Sequence, residues 1–356
     1  MRTHTDEPSR YDATEMARFG QDLLSASGMP DERASAVSQV LVEGDLLGHD
    51  THGMALLPRY LGEIAHGRMA TTGEPSVIAE NGSVATWDGK RLPGPWLVLR
   101  AIDWATARAR AHGSATVVIR RSHHIGCLAA YLDRATRQGM LLLITCSDPS
   151  AATVAPYGGT RPLFSPNPLA AGIPTSGPPI MVDISASVTT NGMSRRMGKK
   201  GQRGEHQWWL DANGVPSTDP SVIDADPPGT ILPLGGVDSG HKGYGLALMI
   251  EALTAGLAGH GRADPPEGFG ATVFIQIYDP EAFSGRAAFV RQTDWTTTAC
   301  RNNAPRAPQT PVRLPGQKGC LLRQKRLAQG IPVSPAVWPL LEDWAQRLNV
   351  AAPEPL

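Results

Sequence analysis

Apolar residues recur at helical spacing through residues 13–66, as in Met16, Phe19, Leu23 and Leu24 and then Val37, Val40, Leu41 and Leu46, which predicts a helical opening lobe. From about residue 76 the texture changes to short β-like runs, SVATWDG and then ATVVIRR at 115–121, separated by the helical WLVLRAIDWATARARAHG. MLLLITCSD at 140–148 reads as a strand after a helix ending near Gly139, PIMVDIS at 179–185 as another buried strand, and ATVFIQIYD at 271–279 as a further one. Alternation of this kind predicts an α/β lobe. Gly, Pro, Asp and Lys crowd residues 196–232, which predicts a long surface excursion, and HKGYGLALMIEALTAGLAG opens a long apolar helix at about 241. Residues 283–312 read as irregular. Helical spacing returns over about 318–349 with Leu321, Leu327, Trp338, Leu341, Trp344 and Leu348, a tail expected to pack back onto the opening lobe. The expected organisation is a helical lobe of residues 1–75 completed by 318–356, and an α/β lobe of residues 76–317, with no internal repeat.

Composition narrows the function classes. A chain of 356 residues can bury a sizeable core, and 41% apolar with 19% charged residues is ordinary for a globular protein. Lys plus Arg and Asp plus Glu both count 33, so no basic footprint for nucleic acid or an anionic membrane is present. Cys127, Cys146, Cys300 and Cys320 form no CxxC pair, which argues against a zinc ribbon or disulfide framework and fits a reducing compartment. The polar start MRTHTDEPSRYDATEMARFG has no secretory h-region, and no apolar run reaches the length of a membrane span. The expected location is cytoplasmic.

Five segments carry candidate chemistry. GHDTHGMALLPRYL at 48–61 holds His49, Thr51, His52, Arg59 and Tyr60. Histidine exchanges a proton near neutral pH, and Arg59, seven residues after His52, returns to the same helical face, a pairing that suits a substrate with a carboxylate. The same pattern also serves as a packed turn ahead of a helix. His49 and His52 can instead share a metal with His123 and His124, although the HExxH spacing of many zinc sites is missing. RRSHHIG at 120–126 and CSDPS at 146–150 end predicted strands, where α/β proteins place ligands; Asp148 can fix an imidazole tautomer or simply turn the chain before Pro149. YGGTRPLFSPNPLAAGIP at 157–174 reads as a loop with many free backbone groups. GGVDSGHKGYG at 235–245 sets Lys242 at a helix mouth, suited to phosphate or a substrate carboxylate. No GxGxxG and no GxxxxGK[ST] occurs.

In order along nearly the whole chain, THG at 51–53, HHIG at 123–126, SDP at 147–149, the GG…NP…P loop, DIS at 183–185, HKGYG at 241–245 and LPG at 314–316 resemble the malate/L-lactate dehydrogenase family of the second type. Its members include ureidoglycolate, sulfolactate and diketogulonate dehydrogenases and reductases of piperideine- and pyrroline-2-carboxylate. The resemblance implies a non-Rossmann NAD(P)-binding α/β lobe with a mixed sheet beside the helical lobe, a homodimer, and NAD or NADP as cofactor. It makes His52 an acid–base residue with Thr51 and Tyr60 lining the pocket, and matches His124 to a proton acceptor. It assigns cofactor contacts to Ser147, Asn167, Asp183, Ile184, Ser185, His241, Gly316, Gln317 and Lys318.

Three departures from the family pattern bear on the substrate. Leu56 stands where an arginine is common, so Arg59 takes its place from the next turn or the substrate is held differently; Thr51 stands for the usual serine and keeps its hydroxyl. Met193 follows Gly192 where Lys or Arg is common, and then comes the basic run SRRMGKK, either a 2′-phosphate contact or a solvated loop. The expected activity is hydride transfer between nicotinamide and a small 2-hydroxy acid or 2-oxo acid. The alternatives are reduction of a cyclic imine carboxylate, a metal-dependent hydrolase or lyase, and a catalytically silent relative. No resident metal is expected.

Overall fold

The computed structural model describes residues 8–307 and 309–356. The first part of the chain runs β1 (Ser9–Tyr11), α1 (Ala13–Ala26), α2 (Asp31–Leu47), α3 (Leu57–Ala65), β2 (Ser76–Asn81), β3 (Val84–Asp88), α4 (Gly94–His112), β4 (Ser114–His123), α5 (Ala129–Thr136) and β5 (Leu141–Ser147). It continues through β6 (Pro168–Ile173), β7 (Ile180–Ser185), α6 (Asn191–Lys199), β8 (Trp209–Leu210), β9 (Pro216–Ser217), β10 (Thr230–Ile231) and α7 (Gly236–Glu251). The last elements are β11 (Gly270–Tyr278), α8 (Arg286–Arg301), α9 (Gln317–Gln329), β12 (Ile331–Val333) and α10 (Trp338–Leu348).

A seven-stranded sheet in the order β2-β3-β4-β11-β5-β6-β7 organises the α/β part. Only β3 and β4 pair in parallel; the other neighbours are antiparallel, so the sheet is mixed and lacks the parallel order of a dinucleotide fold. Its central strands read as near-continuous apolar runs because both faces are covered: α4 and α5 pack on one, where Leu97, Ile102, Val117, Ile119, Tyr131, Ile144 and Ile275 are all buried, and Ala258 packs on Val118 and Phe274 on the other. Helices α1 to α3 form a second core with Ile331, Val333, Leu341 and Ala345 from the C-terminal segment. There β1 pairs with β12, and Tyr11 stacks on Trp338 at 4.2 Å. This closure lets 320 residues of separation collapse into one packing unit, seen directly in the bond from Arg10 to the Gly330 carbonyl.

Four expectations are corrected. Residues 196–232 are not a surface excursion: α6 and the small sheet β10-β8-β9 enclose Trp209, which is fully buried and donates to Ser194 Oγ at 3.1 Å. Strands of two residues carry no readable periodicity. Residues 283–312 are not irregular throughout, because α8 occupies sixteen of them with Thr297 alone buried, so no apolar stripe announces it. The 157–174 loop ends in β6, whose Ala170, Ala171 and Gly172 lack the branched side chains that mark a strand. Helix α7 starts at Gly236 rather than 241, with a non-helical break at Ser239.

Candidate active site

Sheet register brings the chemistry together. Gly270 on β11 pairs with His123 on β4, and Thr272 pairs with Ser147 on β5. The end of β4, the start of β11 and the end of β5 therefore share one edge, from which His124, Phe269 and Asp148 project. Gly94 at the start of α4 permits this arrangement, since a Cβ there would lie 2.4 Å from the His123 carbonyl and 2.5 Å from that of His124.

The helical part supplies the other wall. After α2, Gly48 in the left-handed conformation turns the chain, and Asp45 accepts the Met54 N–H at 2.8 Å, pinning the loop that holds His52. Thr51 Oγ1 lies 2.9 Å from His52 Nδ1. From α3, the fully buried Tyr60 sets its hydroxyl 2.8 Å from His124 Nδ1 and 3.2 Å from the His124 carbonyl. Gly126 N–H also reaches His124 Nδ1, at 3.2 Å. An N–H can only donate, so we assign Nδ1 as the acceptor and place the proton of the neutral ring on Nε2.

Four side chains then form a column. The His52 and His124 rings are 5.9 Å apart at 27°, the His124 and Phe269 rings stack at 4.3 Å and 16°, and the Arg59 guanidinium sits 3.4 Å above the Phe269 ring. Two groups so close to one ring cannot share a face, so Arg59 and His124 flank Phe269. Burial, with help from His49, lowers the His52 pKa to about 4; burial first, then His52, His123 and Arg59, pushes His124 well below its ordinary value. Both imidazoles are neutral near pH 7. His123 is also lowered, to about 3, by burial and then Arg91, and lies inward with Nε2 3.6 Å from Glu63.

Other predicted residues fall elsewhere. Asp148 accepts from Ser150 N–H at 2.9 Å, and the group placed to orient an imidazole is Tyr60. Burial raises the Asp148 pKa, while Arg59 and Arg91 lie within its electrostatic reach. Ser147 and Asn167 are fully buried and both donate to Glu251, at 2.7 and 2.9 Å, which in turn holds Arg262 at 2.9 Å. Leu56 packs against the second core. His241 and Lys242 are exposed on α7, with His241 edge-on to Tyr157 at 5.7 Å. Gly316, at φ +81°, is pressed against Met181 on β7, next to Asp183–Ser185, and Gln317 and Lys318 begin α9. The basic run lies on α6, where Arg195 pairs with Asp224 and Arg196 approaches Asp50. The four histidines do not form one metal site: among the described residues, His49 groups with Cys127 and Asp183.

A family model described as malate/L-lactate dehydrogenase matches residues 11–342. The chain belongs to the malate/L-lactate dehydrogenase family. It is 31% identical over 354 residues to an L-lactate dehydrogenase of Cupriavidus necator, covering 96% of this chain and 98% of that one. Among solved structures it resembles malate dehydrogenase of Pyrococcus horikoshii, with TM-score 0.87, 28% identity, and 100% and 99% of the two chains covered. It also resembles delta1-piperideine-2-carboxylate reductase of Pseudomonas syringae, with TM-score 0.82, 25% identity, and 94% and 99% covered.

In this malate/L-lactate dehydrogenase family member, three contributors escaped sequence reasoning. Phe269 sits in the Pro/Gly-rich PPEGFG, which has no periodicity to mark a ring that stacks between a histidine and an arginine. Arg262 lies in the same irregular stretch. Glu251 did leave a signal: it is the lone acid inside LALMIEALTAG, and a carboxylate in an apolar helix needs partners.

Proposed function

We propose that the protein is a nicotinamide-dependent oxidoreductase interconverting a small 2-hydroxy acid and its 2-oxo acid, with NAD or NADP as cofactor. The observation that carries this reading is the column Arg59, Phe269, His124, His52. It gathers around the Phe269 ring a guanidinium that can pair with a carboxylate and, on the opposite side of that ring, two neutral imidazoles, the group types needed where an alcohol carbon adjoins a carboxylate. When bound, the nicotinamide supplies or accepts the hydride at that carbon.

Each residue then has a task. Arg59 pairs with the carboxylate. His124 offers its Nε2–H to the substrate oxygen, because Gly126 and Tyr60 already occupy Nδ1. His52, with Nδ1 engaged by Thr51, carries the reaction proton at Nε2. Asp183, Ile184 and Ser185 suit a cofactor: Ile184 is 42% exposed on an edge strand, an apolar surface between two half-buried polar neighbours. His241, Gly316, Gln317 and Lys318 complete the cofactor contacts, Lys242 meets phosphate or the substrate carboxylate, and Ser147 and Asn167 act from within through Glu251 and Arg262. Asp148 biases the charge around Arg59.

The test is a screen of NADH and NADPH separately against pyruvate, oxaloacetate, other 2-oxo acids and cyclic imine carboxylates, read by nicotinamide absorbance. Turnover of a 2-oxo acid that His52→Gln abolishes is expected; no cofactor consumption with any substrate would overturn the reading. Turnover of imines alone would favour the second reading, which the similarity to the piperideine-2-carboxylate reductase supports. We further propose a homodimer, in keeping with the exposed Leu248, Met249 and Leu257 around the end of α7, and a cytoplasmic location, in keeping with cysteines that form no disulfide. No helix among the described residues is long and apolar enough to cross a membrane.

A further inference from the structure

The proposed function leaves His49 and Cys127 without a task, yet the fold gathers them, from three separate segments, against Asp183, a residue the cofactor reading also uses. His49 follows the turn at the end of α2, Cys127 lies between β4 and α5, and Asp183 is on β7. One ligand atom from each falls within 4.8 Å of the other two. We infer that His49, Cys127 and Asp183 form a binding site for a thiophilic divalent cation, with zinc as the natural occupant.

The geometry suits a tetrahedral ion. Zinc binds sulfur at about 2.3 Å and nitrogen or oxygen at about 2.0–2.1 Å, so neighbouring donors around it stand roughly 3.3–3.6 Å apart. Cys127 Sγ is already 3.7 Å from Asp183 Oδ2, and that oxygen is held in place by the Ala129 N–H at 3.0 Å, the outer contact that orients a ligating carboxylate. Cys127 is buried while His49 and Asp183 are half-exposed, so the thiol approaches from inside and the fourth position is left to water. A thiolate, an imidazole and a carboxylate together select zinc over magnesium or calcium, which take oxygen donors. On binding, the metal–sulfur bond replaces the S–H to Oδ2 contact, and the thiol proton leaves to solvent. The ion would tie the helical opening of the chain to the edge strand of the sheet, and so raise thermal stability by mass action.

Cobalt(II) reports on this site directly, independent of any turnover. Titration of the purified protein with cobalt is expected to saturate at one ion per chain with a thiolate-to-cobalt charge-transfer band that zinc abolishes. Cys127→Ala should remove the band. His49→Ala, a substitution at a half-exposed position that leaves the core untouched, should weaken cobalt binding at least tenfold. Zinc should raise the melting temperature of the wild type and not of either variant, and magnesium should do neither. A wild-type titration with no sulfur band, or an affinity unchanged in both variants, overturns the inference.

Discussion

Tyr60 Oη stands 2.8 Å from His124 Nδ1 although 64 residues separate them in the chain. Together with the Gly126 N–H it saturates that nitrogen, so a residue of the helical part decides which nitrogen of an imidazole at the end of the sheet is free to act. Tyr60→Phe keeps the ring against His123 and Phe269 while removing the hydroxyl. We expect kcat to fall roughly tenfold with KM little changed, since positioned acid–base groups contribute about 10²- to 10⁴-fold and only the positioning is lost. Steady-state kinetics beside an unchanged near-ultraviolet circular dichroism spectrum checks this.

Replacing Arg59 by Met retains an apolar stem over Phe269 and deletes the charge 3.4 Å above it. A charge-assisted hydrogen bond contributes about 1.5–3 kcal/mol, so KM for a 2-oxo acid should rise about tenfold to a hundredfold while kcat changes little. An unchanged KM would remove Arg59 as the carboxylate's partner.

Gly53 abuts the buried Asp45, and a Cβ at Gly53 would fall 1.9 Å from Asp45 Oδ1. Gly53→Ala is expected to cost about 1–3 kcal/mol in a denaturant titration through overpacking, and to displace His52 along with the loop. Full stability in this variant would show that Asp45 moves aside freely.

Acid should weaken the fold partly through His52. Its pKa is about 4 in the folded protein against 6.5 ordinarily, the charged form being penalised by burial. Above about 6.5 neither state holds the extra proton; between 6.5 and 4 only the unfolded chain does; below 4 both do. The stabilising contribution is therefore complete above 6.5 and lost as pH falls to about 4. Denaturation midpoints across that window should drop more steeply for the wild type than for His52→Gln. Parallel pH profiles would contradict the lowered pKa.

Much of the fold was legible along the chain. The long helices α1, α2, α4 and α7 and the strands β4, β5 and β11 each carry enough apolar residues in one rhythm to announce themselves, because each buries a face against the core. Elements with little burial or small residues did not, as α8 and β6 show. For the site, His52, His124, Tyr60 and Arg59 were readable as candidates because imidazole and guanidinium lie in recurring short motifs at strand and helix ends.

The sequence by itself determined the helical opening of the chain, the α/β texture, the missing dinucleotide fingerprint and the two segments that hold His52, Arg59, Tyr60 and His124. Tertiary structure alone decided which of ten histidines meet. It set His124 between Phe269 and His52 with its Nδ1 on Tyr60, buried His123 against Glu63, and separated His49 from His52 to face Cys127 and Asp183. The reason is physical: periodicity reports only whether a residue turns toward the core. Which side chains touch there depends on strand register and helix docking, and both are settled by contacts between residues far apart in the chain.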